Sequence, residues 1–166
     1  MSNVSKAYEI AKEVYAGIGV DTDQALEKLK SIKISLNCWQ GDDLNGFLFQ
    51  EQSQNGNYPG KARNCAELRQ DVEKALSMIP GNHKLSLHAT YTDTEEKVDL
   101  DTLEPRHFDS WIQWAKEKGV GLDFNATCFS HPMADSGFTI SSADPAIRAF
   151  WIEHCKISRA YGQRTK

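Results

Sequence analysis

His88 is the residue with the strongest case for proton chemistry in this sequence. It lies at the carboxyl end of a predicted strand, on the polar phase of the alternation in Lys84–Tyr91. An unperturbed imidazole titrates at about pH 6.5, so it can exchange a proton near neutrality or bind a metal ion. A hydrogen-bonded structural histidine fits the same position, and the local sequence does not choose between these two roles.

Trp39 is the second candidate, and it ends the first predicted strand. Its flat apolar ring can pack against the C–H face of a sugar or form the floor of a pocket. A buried core tryptophan explains the position equally well. Asp123 and Asn125 share one phase of the third predicted strand, where they can orient a hydroxyl group or support a neighbouring side chain. A local cap or salt bridge is the alternative for Asp123.

Two loop clusters contain residue types that bind metals. They are the adjacent carboxylates Asp42 and Asp43, and the pair His131 and Asp135. Neighbouring acidic residues on loops are usually solvated, and loop histidines are more often structural than ligands. His83, His107 and His154 lie on predicted turn or helix positions and are expected to be structural. The sequence contains no serine nucleophile elbow, HExxH, GxGxxG or zinc-finger spacing.

The elements that must position these residues alternate along the chain. Two amphipathic helices come first, over residues 3–16 and after a cap at Asp21, and a strand–helix order then repeats three times. The predicted strands are Lys33–Trp39, Lys84–Tyr91 and Val120–Asn125, and the helices that follow them begin after Asn64, at Pro105 and at Pro145. This order predicts an α/β fold with right-handed parallel crossovers, whose functional residues meet at the carboxyl ends of the strands.

Composition excludes several classes of protein. The 166 residues carry 19 Lys+Arg and 23 Asp+Glu, a formal charge of −4, which argues against binding to nucleic acid. No apolar run of about 18 residues is present, so we expect no membrane-spanning helix, and the amino terminus lacks the apolar region of a secretory signal. The four cysteines form no Cys-x-x-Cys pair, which favours a reduced, cytoplasmic protein. The length predicts a single domain over residues 1–166.

Several long blocks at these strand ends resemble the L-rhamnose isomerase family. They are SLNCWQGDD (Ser35–Asp43), NGNYPGKARN (Asn55–Asn64), LSLHATY (Leu85–Tyr91), GLDFNATCFSHP (Gly121–Pro132) and FWIEHCKISR (Phe150–Arg159). The resemblance covers almost the whole chain and is to the amino-terminal part of the family's sequence. It implies a (β/α)8 TIM barrel, of which this chain forms the two leading helices and three βα units.

The resemblance also implies an activity. The family is a metal-dependent aldose–ketose isomerase that converts L-rhamnose to L-rhamnulose with Mn²⁺ or a similar divalent ion, as a cytoplasmic homotetramer. It implies that His88 assists opening of the sugar ring, that Trp39 lines the sugar pocket, and that Phe124 or Phe129 adds an apolar wall. The family's metal ligands lie downstream of these residues, so the resemblance implies no metal ligand in this chain. We therefore expect a truncated chain that is inactive alone and self-associates through unpaired strand edges.

Two other functions stay open from the sequence. A sugar-phosphate aldolase or epimerase would hold its phosphate with Lys61 and Arg63, because backbone N–H groups at a helix N-terminus favour anions. No Walker pattern supports that interpretation, and two solvated charges on a turn explain the same residues. The long polar segment 40–63 that contains Lys61 is typical of a functional lid. The other alternative is a non-catalytic fragment that binds sugar or self-associates.

Overall fold

The computed structural model describes residues 2–37, 47–48 and 62–163. The chain divides into two compact units, Met1–Ile34 and Ser35–Lys166. The elements are α1 (Asn3–Ala16), α2 (Thr22–Lys30), β1 (Ile34–Asn37), α3 (Cys65–Met78), β2 (His83–His88), α4 (Asp109–Lys118), β3 (Gly121–Asn125) and α5 (Pro145–Gly162). Within the described ranges, no helix is both long enough and apolar enough to cross a membrane.

The first unit is a pair of helices joined by polar contacts. The side chain of Asp21 accepts a hydrogen bond from the backbone N–H of Gln24 at 2.9 Å, so the predicted cap of α2 is confirmed. Asp23 on α2 accepts hydrogen bonds from the Tyr8 hydroxyl and the Lys12 ammonium of α1, both at 2.7 Å. Neither helix contains a buried residue. The pair is therefore held by side-chain polar contacts and not by a core of its own.

The second unit is built on a three-stranded sheet in the order β1-β2-β3. Strands β2 and β3 run parallel, with Leu85 opposite Leu122 and Leu87 opposite Phe124. Parallel neighbours need a crossover connection, and α4 lies between these two strands in the sequence. The predicted α/β class is confirmed.

One face of the sheet forms the core. Leu85, Leu87 and Leu122 are at most 6 % exposed, and they pack in one apolar cluster with residues from the helices. Trp111 on α4 and Trp151 on α5 are fully buried in the same region. Burial of these large apolar surfaces is the main force that holds the helices to the sheet.

The strand starts agree with prediction to within one residue, and two other predicted boundaries differ from the structure. Strand β2 ends at His88 and not at Tyr91, because Ala89–Tyr91 forms a short 3₁₀ turn, which we call the β2 turn. Pro105 begins a separate 3₁₀ turn, Pro105–Phe108, that leads into α4. Gly119 ends α4 in the left-handed conformation, with φ of 67°, as its residue type predicts.

Trp111 offers a test of this packing, because its indole N–H donates to the backbone carbonyl of Tyr91 at 2.9 Å. We expect Trp111→Ala to lower the free energy of unfolding by about 3–5 kcal/mol through lost apolar contacts. Trp111→Phe keeps most of those contacts and should cost about 1–3 kcal/mol, the cost of a lost buried hydrogen bond. Urea denaturation measures both values.

Trp114→Phe is the matched control. The Trp114 indole donates to the Glu73 carboxylate at 2.8 Å near the surface, where water can replace it. Equal losses of unfolding free energy for the two Trp→Phe variants would show that the hydrogen bond to Tyr91 contributes no more to stability than the bond to Glu73.

Candidate functional site

The β2 turn is fixed from several sides. Its Tyr91 carbonyl accepts the Trp111 indole N–H at 2.9 Å and the Cys65 thiol at 3.4 Å. The backbone N–H of Phe47 donates to the carbonyl of Thr90 at 2.7 Å. Burial raises the pKa of Cys65 to about 12, so this thiol stays protonated and keeps its donor role. Cys65 is 3 % exposed and packs as a small buried side chain.

His88 is the last residue of β2, and its side chain lies against the β2 turn. It is 4 % exposed. Its ring stacks on Tyr91, with centroids 5.0 Å apart and planes 25° apart. The ring of Phe129, which follows β3, meets it edge-on at 6.4 Å. Two aromatic rings therefore fix the plane of the imidazole at the carboxyl end of the strand.

Polar side chains share the face of the sheet that carries His88. In the parallel register Ser86 lies opposite Asp123 and His88 opposite Asn125, so these four side chains point to the same side. On that side the Lys84 ammonium donates to the Asp123 carboxylate at 2.9 Å and lowers its pKa. Asp123 therefore forms a salt bridge, the alternative that the sequence left open for it, and its partner lies on the neighbouring strand.

The two phenylalanines proposed as an apolar wall lie on different faces of the sheet. Phe124 packs against Phe108 and Tyr161, with ring centroids 5.3 and 5.4 Å away, on the side of the helices. Phe129 is the one beside His88, and it is 45 % exposed. Of these two residues, Phe129 has the position that a wall next to His88 requires.

Trp39, Asp42 and Asp43 lie outside the described residues, so their predicted roles stay predictions. Residues 2–37, 47–48 and 62–163 contain no group of three or more His, Cys, Asp or Glu side chains placed to hold a metal ion. A Mn²⁺ site needs several oxygen or nitrogen donors at one point. The described side chains therefore do not fit a Mn²⁺ site.

Of the two residues proposed to bind a phosphate, the structure describes Arg63, and its side chain forms a salt bridge with Glu67. Its guanidinium donates to the Glu67 carboxylate at 2.6 Å, and its backbone N–H donates to the same carboxylate at 2.8 Å. This contact holds the pKa of Glu67 below its usual range, so the carboxylate is ionised at neutral pH. A negative group so close to the helix N-terminus disfavours a bound phosphate. Lys61 lies outside the described residues.

His131 pairs with Asp99 and not with Asp135, the residue that the sequence grouped with it as a possible metal ligand. Its Nδ1 accepts the backbone N–H of Met133 at 3.0 Å, so Nε2 carries the proton and donates to Asp99 at 2.9 Å. The ring also stacks on Phe150 at 4.7 Å. Asp135 takes no part in these contacts. The buried histidine joins the segment after β3 to the segment after the β2 turn.

The sequence pattern missed two residues that shape the site. The alternation predicts Tyr91 in the strand, on the opposite phase from His88, whereas the structure stacks its ring on His88. No local pattern indicates that Asp99 binds His131, because the two residues lie 32 positions apart in the sequence. His154 is fully buried with its ring nitrogens against the carbonyls of Leu100 and Ala126, in agreement with its predicted structural role.

The three-stranded sheet and the helices packed on one of its faces define an α/β protein. The sequence profile of the L-rhamnose isomerase (RhaA) family matches residues 2–165. The chain is 57 % identical over 164 residues to the L-rhamnose isomerases of Listeria monocytogenes serotype 4a and Listeria innocua serovar 6a. It is 50 % identical over 164 residues to that of Yersinia pseudotuberculosis serotype IB. The chain belongs to the L-rhamnose isomerase family.

Each of these alignments covers 95 % of this chain and 39 % of the relative. The chain therefore spans about two fifths of the length of the curated relatives it matches. The family resemblance seen in the sequence blocks is confirmed.

The contacts of His131 lead to a test by substitution. His131→Leu removes the partner of both the Asp99 carboxylate and the Met133 N–H, so we expect it to lower the free energy of unfolding by about 1–3 kcal/mol. Asp135→Asn, at the exposed residue that the sequence grouped with His131 as a possible metal ligand, should change it by less than about 0.5 kcal/mol. Thermal or urea unfolding of both variants measures the difference, and equal effects would contradict the assigned pairing.

Proposed function

We propose that this chain forms the amino-terminal part of a metal-dependent aldose–ketose isomerase that converts L-rhamnose into L-rhamnulose. The observation that carries the proposal is the family match over residues 2–165. The three strands then form part of a (β/α)8 barrel, with the polar face of the sheet turned to its interior. The complete protein is proposed to be a cytoplasmic homotetramer.

In this proposal His88 handles the proton that moves when the cyclic sugar opens. Opening breaks the bond between C1 and the ring oxygen, makes a carbonyl at C1, removes a proton from the C1 hydroxyl and adds one to the ring oxygen. An imidazole within hydrogen-bond reach can accept the first proton or supply the second. Stacking on Tyr91, at 5.0 Å between centroids, orients the ring for this transfer.

Phe129 and Trp39 are proposed to contact the apolar parts of the sugar. Phe129 is half exposed beside His88, where its ring can cover the methyl group of L-rhamnose and exclude water from one edge of the imidazole. Trp39 follows β1 in the sequence, so it belongs to the same carboxyl edge of the sheet. Phe124 is assigned to packing between the sheet and the helices.

The described side chains do not fit a Mn²⁺ site, and the proton transfers proposed for His88 do not require one. We propose that the metal ligands of the family's reaction are not among the described side chains. What these side chains supply is the proton-handling imidazole and its aromatic surroundings.

A chimera tests the role of His88. This chain replaces the matching 164 residues of the Listeria monocytogenes relative, and turnover of L-rhamnose is measured with Mn²⁺. His88→Asn should lower kcat by about 10²-fold or more, the usual scale for a positioned acid or base, while bound Mn²⁺ is unchanged.

His83→Asn is the matched control, because His83 lies at the opposite end of the same strand and contacts the Pro80 carbonyl at 3.1 Å. It should leave kcat unchanged. Normal turnover in His88→Asn would refute the role, and loss of Mn²⁺ would make His88 a ligand instead. A folded, Mn²⁺-loaded parent chimera without activity would contradict the proposed function itself.

The 166-residue chain alone gives a separate prediction. Because the described side chains form no metal site, we expect no ketose from L-rhamnose and Mn²⁺, and Mn²⁺ binding no tighter than that of an ordinary acidic surface. In the described part of the chain β1 and β3 each pair with β2 alone, and open strand edges favour association, so light scattering should report oligomers. Measurable turnover by the chain alone would show that it holds a complete site.

A further inference from the structure

Two cysteines far apart in the sequence lie in contact. The sulfurs of Cys128, in the segment after β3, and Cys155, on α5, are 3.8 Å apart across a separation of 27 residues. Both are free thiols and both are partly buried. The sulfurs must approach by about 1.8 Å to reach the 2.05 Å of a disulfide bond, a movement within the range of side-chain rotation.

We propose that Cys128 and Cys155 are an oxidation site that a peroxide converts into an intramolecular disulfide. The pair is separate from His88, and the inference does not depend on the proposed isomerase activity.

An open cavity gives a small oxidant access to one of the two thiols. The cavity has a volume of about 520 Å³, and Cys155 lines it together with Phe124 and Arg159. Cys128 is not among the residues that line this cavity. Burial and the neighbouring Cys155 thiol raise the pKa of Cys128 to about 11, so Cys128 is protonated at neutral pH. Cys155 is therefore the sulfur that meets the oxidant first.

The chemistry takes two steps. The Cys155 sulfur attacks one oxygen of the peroxide, the O–O bond breaks, and with hydrogen peroxide the products are a sulfenic acid and water. The Cys128 sulfur then attacks the Cys155 sulfur, an S–S bond forms, the S–O bond breaks, and the hydroxide leaves as water with the Cys128 proton. The two thiols lose two electrons in total, and the peroxide is reduced to water.

The backbone around Cys128 has an uncommon conformation that a neighbouring side chain supports. Thr127, directly before Cys128, and Ser130, two residues after it, have left-handed φ values of 57° and 55°, an uncommon conformation for residues other than glycine. The Asn125 side chain accepts the backbone N–H of Thr127 at 2.8 Å and supports this conformation. Because Phe129 directly follows Cys128, a disulfide would also fix the backbone that carries the ring beside His88.

Tryptic mapping tests the proposal on the 166-residue chain. Trypsin cuts after Lys118, Arg148 and Lys156, so Cys128 and Cys155 fall on adjacent peptides, 119–148 and 149–156. After hydrogen peroxide treatment and alkylation of free thiols, mass spectrometry should find these two peptides linked, lighter by two hydrogens than their sum. Dithiothreitol should separate them.

Cys65→Ser is the matched control, because Cys65 is buried at 3 % exposure against the β2 turn. It should keep the link, and Cys155→Ser should lose it. Closing a loop of this length should also raise Tm by about 5–10 °C in the oxidised chain and not in Cys155→Ser. Separately alkylated or overoxidised peptides, or links to other cysteines, would overturn the proposal.

Discussion

The hydrogen bond from the Trp111 indole to the Tyr91 carbonyl is the contact on which the candidate site depends. It joins α4 to the β2 turn inside the core, where water cannot replace it. Arg69 lies over the same indole at 5.0 Å and pairs with Asp93 at 3.0 Å, so the tryptophan is held from its outer side as well. The β2 turn places the Tyr91 ring against the ring of His88. The position of the His88 imidazole therefore depends on the packing of α4 against the β2 turn.

The alternation of side chains along β2 and β3 separates packing from chemistry. Leu85 and Leu87 point to the helices and contribute to the core, whereas Ser86 and His88 point to the other face. The same division packs Phe124 against the core and places Asn125 opposite His88 on the polar face. Side chains alternate between the two faces of a strand. Each polar residue on the His88 face is therefore next in sequence to an apolar residue that packs on the helix side of the sheet.

The segment after β3 is held at both ends by buried histidines. His131 bonds Asp99 and the Met133 backbone, and His154 on α5 lies against the carbonyls of Leu100 and Ala126. The residues between these anchors include Phe129 and Cys128. This segment holds the Phe129 ring beside His88 and the Cys128 sulfur beside Cys155 on α5. The contact between the two thiols therefore lies next to the residue that borders the candidate site.

The sequence by itself determined the order of helices and strands, the cap at Asp21, the end of α4 at Gly119 and the phase of His88, because these depend on periodicity and on the conformational preferences of single residues. Its blocks also identified the family. Only the tertiary structure decided that β2 stops at His88, that His131 pairs with Asp99, that Phe129 and not Phe124 lies beside the imidazole, and that Cys128 meets Cys155. Each of these depends on contacts between residues distant in the chain, which no local pattern encodes; the thiols are 27 residues apart and the His131 pair 32.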